Sequence, residues 1–205
     1  MAIIEVNFIS QCLMRTVTFN AVIPADKFGP QAAAQQKPFK TLYLLHGIFG
    51  NYTDWVNGTR IQAWGDLAVI MPSGENRFYL DDEKSGERYG EFIGRELVEF
   101  TRKLFPLSDR REDTFIAGLS MGGYGALRNG LKYAETFGCV AGLSSALIYA
   151  GLKDSDNSAP VFTFRRRYYE AIFGDLEHIV GSDKDPKALF RKLREENRPL
   201  PKLYM

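Results

Sequence analysis

The sequence predicts an α/β fold built on a mostly parallel central sheet with helices on both faces. Three observations carry that expectation. Four short apolar runs, "TLYLLH" (41–46), "DLAVIMP" (66–72), "TFIAGLS" (114–120) and "CVAGLSS" (139–145), each end in small or polar residues. Continuous runs of this length suit strands buried on both faces. Helical segments lie between them, and strands alternating with helices build right-handed crossover units. Finally, a serine flanked by glycines, "GLSMG" at 118–122, stands where one apolar run meets a helix.

The elements follow in order. "AIIEVNFIS" and "LMRTVTFNAVIP" are β-rich, the second alternating Met14, Thr16, Thr18 and Asn20 against Arg15, Val17, Phe19 and Ala21. They suit an antiparallel hairpin at a sheet edge. "DKFGPQAAAQQKPF" then reads as a surface loop. In "EFIGRELVEFTRKLF" the residues Ile93, Leu97, Phe100 and Leu104 recur at helical spacing, and Pro106 closes that helix. Residues 121–134 form the helix after the serine. The stretch 160–195 is rich in charge and aromatic residues and predicts helices lying over one face. "KLYM" at the end reads as one more strand. Nothing suggests a repeat or a linker, so residues 1–205 form one domain, with 150–195 a candidate cap.

Composition narrows the function. The chain has 205 residues, 45% of them apolar, which is enough for one sizeable core. Its 26 basic and 25 acidic residues leave a net charge of +1, giving no reason to expect nucleic acid or acidic lipid as a partner. Arg165-Arg166-Arg167 reads as a solvated helix face. No run approaches the roughly 18 apolar residues of a membrane helix, and the N-terminus lacks the pattern of a signal peptide. Cys12 and Cys139 stand alone, so a reducing cytoplasm is the default expectation. No clustered histidines or cysteines predict a metal, and no organic cofactor is called for.

Gly118-Leu119-Ser120-Met121-Gly122 matches G-x-S-x-G, with a strand before it and a helix after it. The glycines have a steric purpose: the serine sits on a sharp turn with positive φ, and strand and helix must pass closely. The turn lifts the hydroxyl clear of the sheet at a helix N-terminus, where free N–H groups and the dipole favour an oxyanion. A phosphate-binding loop is the alternative, but it would want Lys-Ser/Thr after its glycines, and Tyr124 and Ala126 stand there instead. An oxyanion hole needs a second donor from the loop after an earlier strand. "TLYLL" runs into "HGIFGNYTDW", which places His46-Gly47 at that point with the Ile48 N–H free. Ser120, the Met121 N–H and the Ile48 N–H therefore form a candidate acyl-transfer site.

"YLLHGIFGNYTDW" together with "GLSMGGYGAL" and "RFYLDDEKSGERYGEFIGRELVEF" resembles the esterase D-like family of α/β-hydrolases, from about residue 5 onward. Within that family the chain is most similar to bacterial tributyrin esterases; S-formylglutathione hydrolases are also members. The resemblance implies the α/β-hydrolase fold, Ser120 as nucleophile, and Met121 and Ile48 as oxyanion donors. It also implies that the triad acid follows a strand matching "KLYM" and that the histidine follows one further strand. The expectation is then that the chain stops short of both, and of the last strand and helix.

Two histidines are present to be weighed as the base. His46 lies on the oxyanion loop, where orienting that loop is its expected task. His178 follows the serine, and Asp154, Asp156 or Asp175 are available as partners, yet more helix and a strand come after it; it reads as a surface or lid histidine. The expected function is hydrolysis of short-chain acyl esters. Alternatives are S-formylglutathione hydrolysis, deacetylation of carbohydrate esters and, from another class, a non-catalytic binding module that kept the turn but lost the base. The expected partner is a small acyl ester, with a homo-oligomer or a companion C-terminal fragment as further expectations.

Overall fold

The computed structural model describes residues 1–26, 38–63, 65–82 and 84–205. Seven strands form one sheet: β1 (Ala2–Ser10), β2 (Arg15–Ile23), β3 (Thr41–Leu45), β4 (Ala68–Pro72), β5 (Thr114–Leu119), β6 (Cys139–Leu143) and β7 (Lys202–Tyr204). Their order across the sheet is β1-β2-β4-β3-β5-β6-β7. β1 pairs antiparallel with β2, and β2 antiparallel with β4; every pairing from β4 to β7 is parallel. This is the α/β-hydrolase architecture, with the expected hairpin at one edge. Most of the expected surface loop, residues 27–37, lies outside the described residues.

The helices are α1 (Asp54–Gly58), α2 (residues 89–104), α3 (Met121–Lys132), α4 (Arg166–Phe173) and α5 (Pro186–Glu195). The two faces are covered unequally. α2 and α3 bury one face, where Phe19, Tyr43, Ile70, Ile116 and Val140 join Phe92, Ile93, Leu97 and Tyr124 in the main core. On the other face a smaller cluster of Val22, Leu44, Val69, Met71 and Ala117 packs against Ile61, Trp55 and Val56. Leu119 and Leu143, two residues beyond Ala117 and Ala141 on that face, are exposed.

Three expectations are corrected. α2 is not one regular helix: Phe92–Glu96 is a π turn between Tyr89–Glu91 and Leu97–Leu104. A π turn inserts a residue and shifts the buried stripe. Phe92, Ile93, Leu97, Val98 and Thr101 are buried as a result, while Leu104 is exposed. The helix after the serine ends at Lys132, two residues earlier than expected. The arginine run is not a simple solvated face either. Arg165 Nε donates to the Ala159 carbonyl at 2.6 Å, Arg166 Nη1 donates to the Lys153 carbonyl at 2.7 Å, and Arg167 lies over the Phe162 ring. These cations tie α4 to the segment before it.

The segment from 160 to 195 divides by function of its aromatic residues. Tyr168, Tyr169, Ile172 and Phe173 enter the main core, whereas Phe162 and Phe164 remain exposed. Both cysteines are free; Cys12 is buried at the hairpin turn, where desolvation and then Glu96 push its thiol up to about 11.

Strand order places the site. The chain leaves β3 towards β4 on one side and leaves β5 towards β6 on the other, so the two loops diverge above neighbouring strands. The carboxyl ends at such a switch point form the natural crevice of an open parallel sheet. Leu45 pairs with Gly118, which brings the residues just beyond them, His46-Gly47 and Leu119-Ser120, side by side.

Candidate active site

Ser120 links β5 to α3 with φ 55° and ψ −113°, a conformation costing on the order of 1–3 kcal/mol for a residue with a side chain. Close approach enforces it. A Cβ on Gly118 would lie 2.2 Å from the Gly122 carbonyl oxygen, and one on Gly122 would lie 2.5 Å from the carbonyl oxygens of Leu45 and His46. Only glycine fits either position. Main-chain bonds hold the turn: the Ser120 N–H donates to Leu143 O at 2.9 Å, and its carbonyl accepts from the N–H groups of Tyr124 (3.0 Å) and Ala146 (2.9 Å). The half-buried hydroxyl has no hydrogen-bond partner among the described residues.

The loop after β3 lies against this turn. A Cβ built on Gly47 would be 3.7 Å from the Ser120 Cβ. Gly50 N–H closes a turn onto Gly47 O at 3.2 Å, and the Ile48 N–H within that turn has no acceptor among the described residues. Met121 is the first residue of α3, so its N–H belongs to the unpaired donors of a helix N-terminus. The structure therefore brings Ser120, Met121 and the Gly47-Ile48 turn together.

His46 is buried and fully engaged. Its Nε2 accepts from the Gly74 N–H at 2.8 Å, and its Nδ1 lies 2.6 Å from Gly47 O. The first contact requires a bare Nε2 and the second a protonated Nδ1, so the ring is one neutral tautomer with no lone pair left for a hydroxyl proton. Burial depresses its pKa, only partly opposed by the Gly47 carbonyl. Tyr79 completes the support: its hydroxyl donates to the His46 carbonyl at 3.0 Å. The histidine holds the loop.

His178 stands elsewhere. It is exposed, and its Nδ1 pairs with Asp175 Oδ2 at 2.7 Å, which raises the imidazole pKa and lowers that of the carboxylate. Asp175 and Leu176 line a charged cavity of 660 Å³ together with Arg128, Lys132 and Asp183. Arg128 is eight residues along α3 from Ser120, about 12 Å at 1.5 Å per residue. The cavity excludes Ser120. Asp156 is engaged with the N–H and hydroxyl of Ser158, and no histidine bonds to it or to Asp154 among the described residues. The space that borders the serine turn is instead a cleft of 210 Å³ lined by His46, Gly47, Asp54, Trp55, Gly58, Thr59 and Leu119.

Two supporting segments escaped sequence reasoning. The loop after β4, residues 73–80, reaches His46 through Gly74 and Tyr79, and the end of β6 and the residues beyond it clamp Ser120 through Leu143 and Ala146. The available signal was position, since both follow apolar runs that end at the same side of the sheet. Gly125 serves the same loop. A Cβ there would meet the Tyr79 ring at 2.5 Å, so this glycine makes room for the loop after β4.

The fold and this turn define a member of the α/β-hydrolase class. The Esterase family model matches residues 10–182, and the chain belongs to that family. An acetyl esterase of Caldicellulosiruptor saccharolyticus is 50% identical over all of this chain and 79% of its own length. Among solved structures, the fluorophosphonate-binding serine hydrolase F of Staphylococcus aureus is 30% identical with a TM-score of 0.81. That match covers 98% of this chain and 77% of the hydrolase. An S-formylglutathione hydrolase of Staphylococcus aureus is 31% identical with a TM-score of 0.79, at the same coverage. The protein is accordingly a carboxylic ester hydrolase. Among the described residues, no helix is long and apolar enough to cross a membrane.

The buried His46 sets a pH dependence. Its folded pKa is depressed, so the unfolded chain binds the proton more readily, and the stability it contributes is present above pH 6.5. That stability is lost as pH falls from about 6.5 through the folded value. His178, with its raised value, acts in the opposite sense: its contribution is present below pH 6.5 and is lost as pH rises through its folded value. Thermal melts of wild type and His46→Gln between pH 7.5 and 5 check the first effect. The wild-type Tm should fall on acidification, and His46→Gln should be less sensitive across that window.

Proposed function

We propose that the protein is a serine carboxylesterase acting on short-chain acyl esters through an acyl-enzyme on Ser120. The observation that carries the reading is the Ser120 turn, strained at φ 55° and enclosed by glycines that admit no side chain. A packing turn could dispense with that strain; a nucleophile that must stand clear of the sheet uses it. A non-catalytic binding module offers no reason to keep it.

In this reading the Ser120 Oγ attacks the ester carbonyl carbon while its proton passes to a base. The carbonyl oxygen becomes an oxyanion, received by the N–H groups of Ile48 and Met121. Collapse of the tetrahedral intermediate expels the alcohol, which takes the proton, and leaves the acyl group on Oγ. Water then repeats the sequence and frees the acid. His46 has no free nitrogen for this work, and His178 lies towards the far end of α3. In this reading the base is therefore neither His46 nor His178. Short acyl groups are favoured by the acetyl esterase relative at 50% identity. Deacetylation of a carbohydrate ester fits the same chemistry.

Ser120→Ala in the full-length protein should remove activity by a factor on the order of a million in kcat while the fold persists. Wild-type hydrolysis of p-nitrophenyl acetate by that variant would end the assignment. Acyl preference gives a second test. Each buried methylene is worth about 0.8 kcal/mol only while it fits, so kcat/KM should fall steeply beyond roughly six carbons. A profile that stays level out to dodecanoyl esters would refute the short-chain reading.

A further inference from the structure

The turn that presents Ile48 is held by a side chain from another loop. Phe49 is the third residue of that turn and has φ 66°, a value glycine or asparagine ordinarily supplies at this place. No glycine relieves it. Instead the Phe49 N–H donates to Oδ1 of Asn76 at 2.8 Å. That N–H belongs to the peptide unit directly after Ile48, so its orientation fixes the turn that carries the Ile48 N–H. Asn76 is itself anchored, because its main-chain carbonyl accepts from the Tyr168 hydroxyl at 2.5 Å. Tyr168 is buried on α4, with the exposed Phe162 ring edge-on to it at 5.9 Å.

We infer that Asn76 is a positioning residue for acyl transfer, fixing the Ile48-Phe49 peptide and with it the turn that aims the Ile48 N–H at the oxyanion, with Tyr168 anchoring it from α4. The inference rests on the serine-esterase reading and deepens it. A charge-assisted bond to an oxyanion strengthens only as that charge develops, so a misplaced donor lowers kcat and leaves substrate binding largely intact. A contact that merely stabilised the loop would show no such division.

The test is made on the full-length protein with p-nitrophenyl acetate. Asn76→Ala should lower kcat about 10- to 100-fold, with KM within about 3-fold of wild type. Asn76→Asp keeps an oxygen acceptor for the Phe49 N–H and should recover most of that kcat. Tyr168→Phe should show a smaller loss of the same kind. Wild-type kcat in Asn76→Ala, a loss carried by KM, or an Asp variant no better than Ala would each overturn the inference. Should Asn76→Ala fail to fold, an unchanged kcat in Tyr168→Phe overturns it instead. An inactive Ser120→Ala beside a fully active Asn76→Ala would confine the failure to Asn76 and leave the serine reading standing.

Discussion

The passage of strand β5 into helix α3 across Ser120 is the constraint on which the remaining structure depends. Chain direction must reverse within a few residues while Gly118 and Gly122 lie nearly in contact, and that forces a left-handed φ on the residue between them. The turn cannot hold itself. It borrows hydrogen bonds from Leu143 at the end of β6 and Ala146 beyond it, and the carbonyls of Leu45 and His46 wall it on the β3 side. Parallel pairing of β3, β5 and β6 in register is what brings those partners to the same height.

Strain is concentrated around this point. Of the eight non-glycine residues with positive φ among the described residues, six lie on the four loops that meet here: Phe49, Glu75, Phe78, Tyr79, Ser120 and Ser144. Such conformations persist only where surroundings over-determine them. The loop after β4 supplies much of that determination, through Gly74 to His46, Tyr79 to the His46 carbonyl, and Asn76 to Phe49. A buried neutral imidazole is a good keystone for this arrangement, because one ring nitrogen accepts and the other donates. Protonation would remove the acceptor and break the contact with Gly74.

Much of this was legible in the sequence, for physical reasons. β3 and β4 are buried on both faces and β5 and β6 on one face fully and the other in part, so all four read as continuous apolar runs. The serine turn admits only glycine at Gly118 and Gly122, so it reads as a motif. His46-Gly47 could be placed because it directly follows the apolar run of an earlier strand. The rest depends on contacts between distant residues. Asn76 reaches Phe49 across 27 positions through one side-chain oxygen, and nothing in "SGENRFY" distinguishes it from an ordinary loop asparagine. The π turn at Phe92–Glu96 leaves a helical pattern that simply appears in register with itself until the burial of Phe92 and exposure of Leu104 are seen. The aromatic residues of 160–173 share one composition yet divide between core and surface, according to which of them α4 turns inward.

The central claim is that this clamped turn exists to present Ser120 as a nucleophile. Treating the full-length protein with a fluorophosphonate and mapping the adduct by peptide mass spectrometry tests it most directly. A single phosphonyl group on Ser120, in the tryptic peptide from Glu112 to Arg128, is the expected result. An adduct on another residue, or an actively hydrolysing protein that takes up no label, would contradict the account.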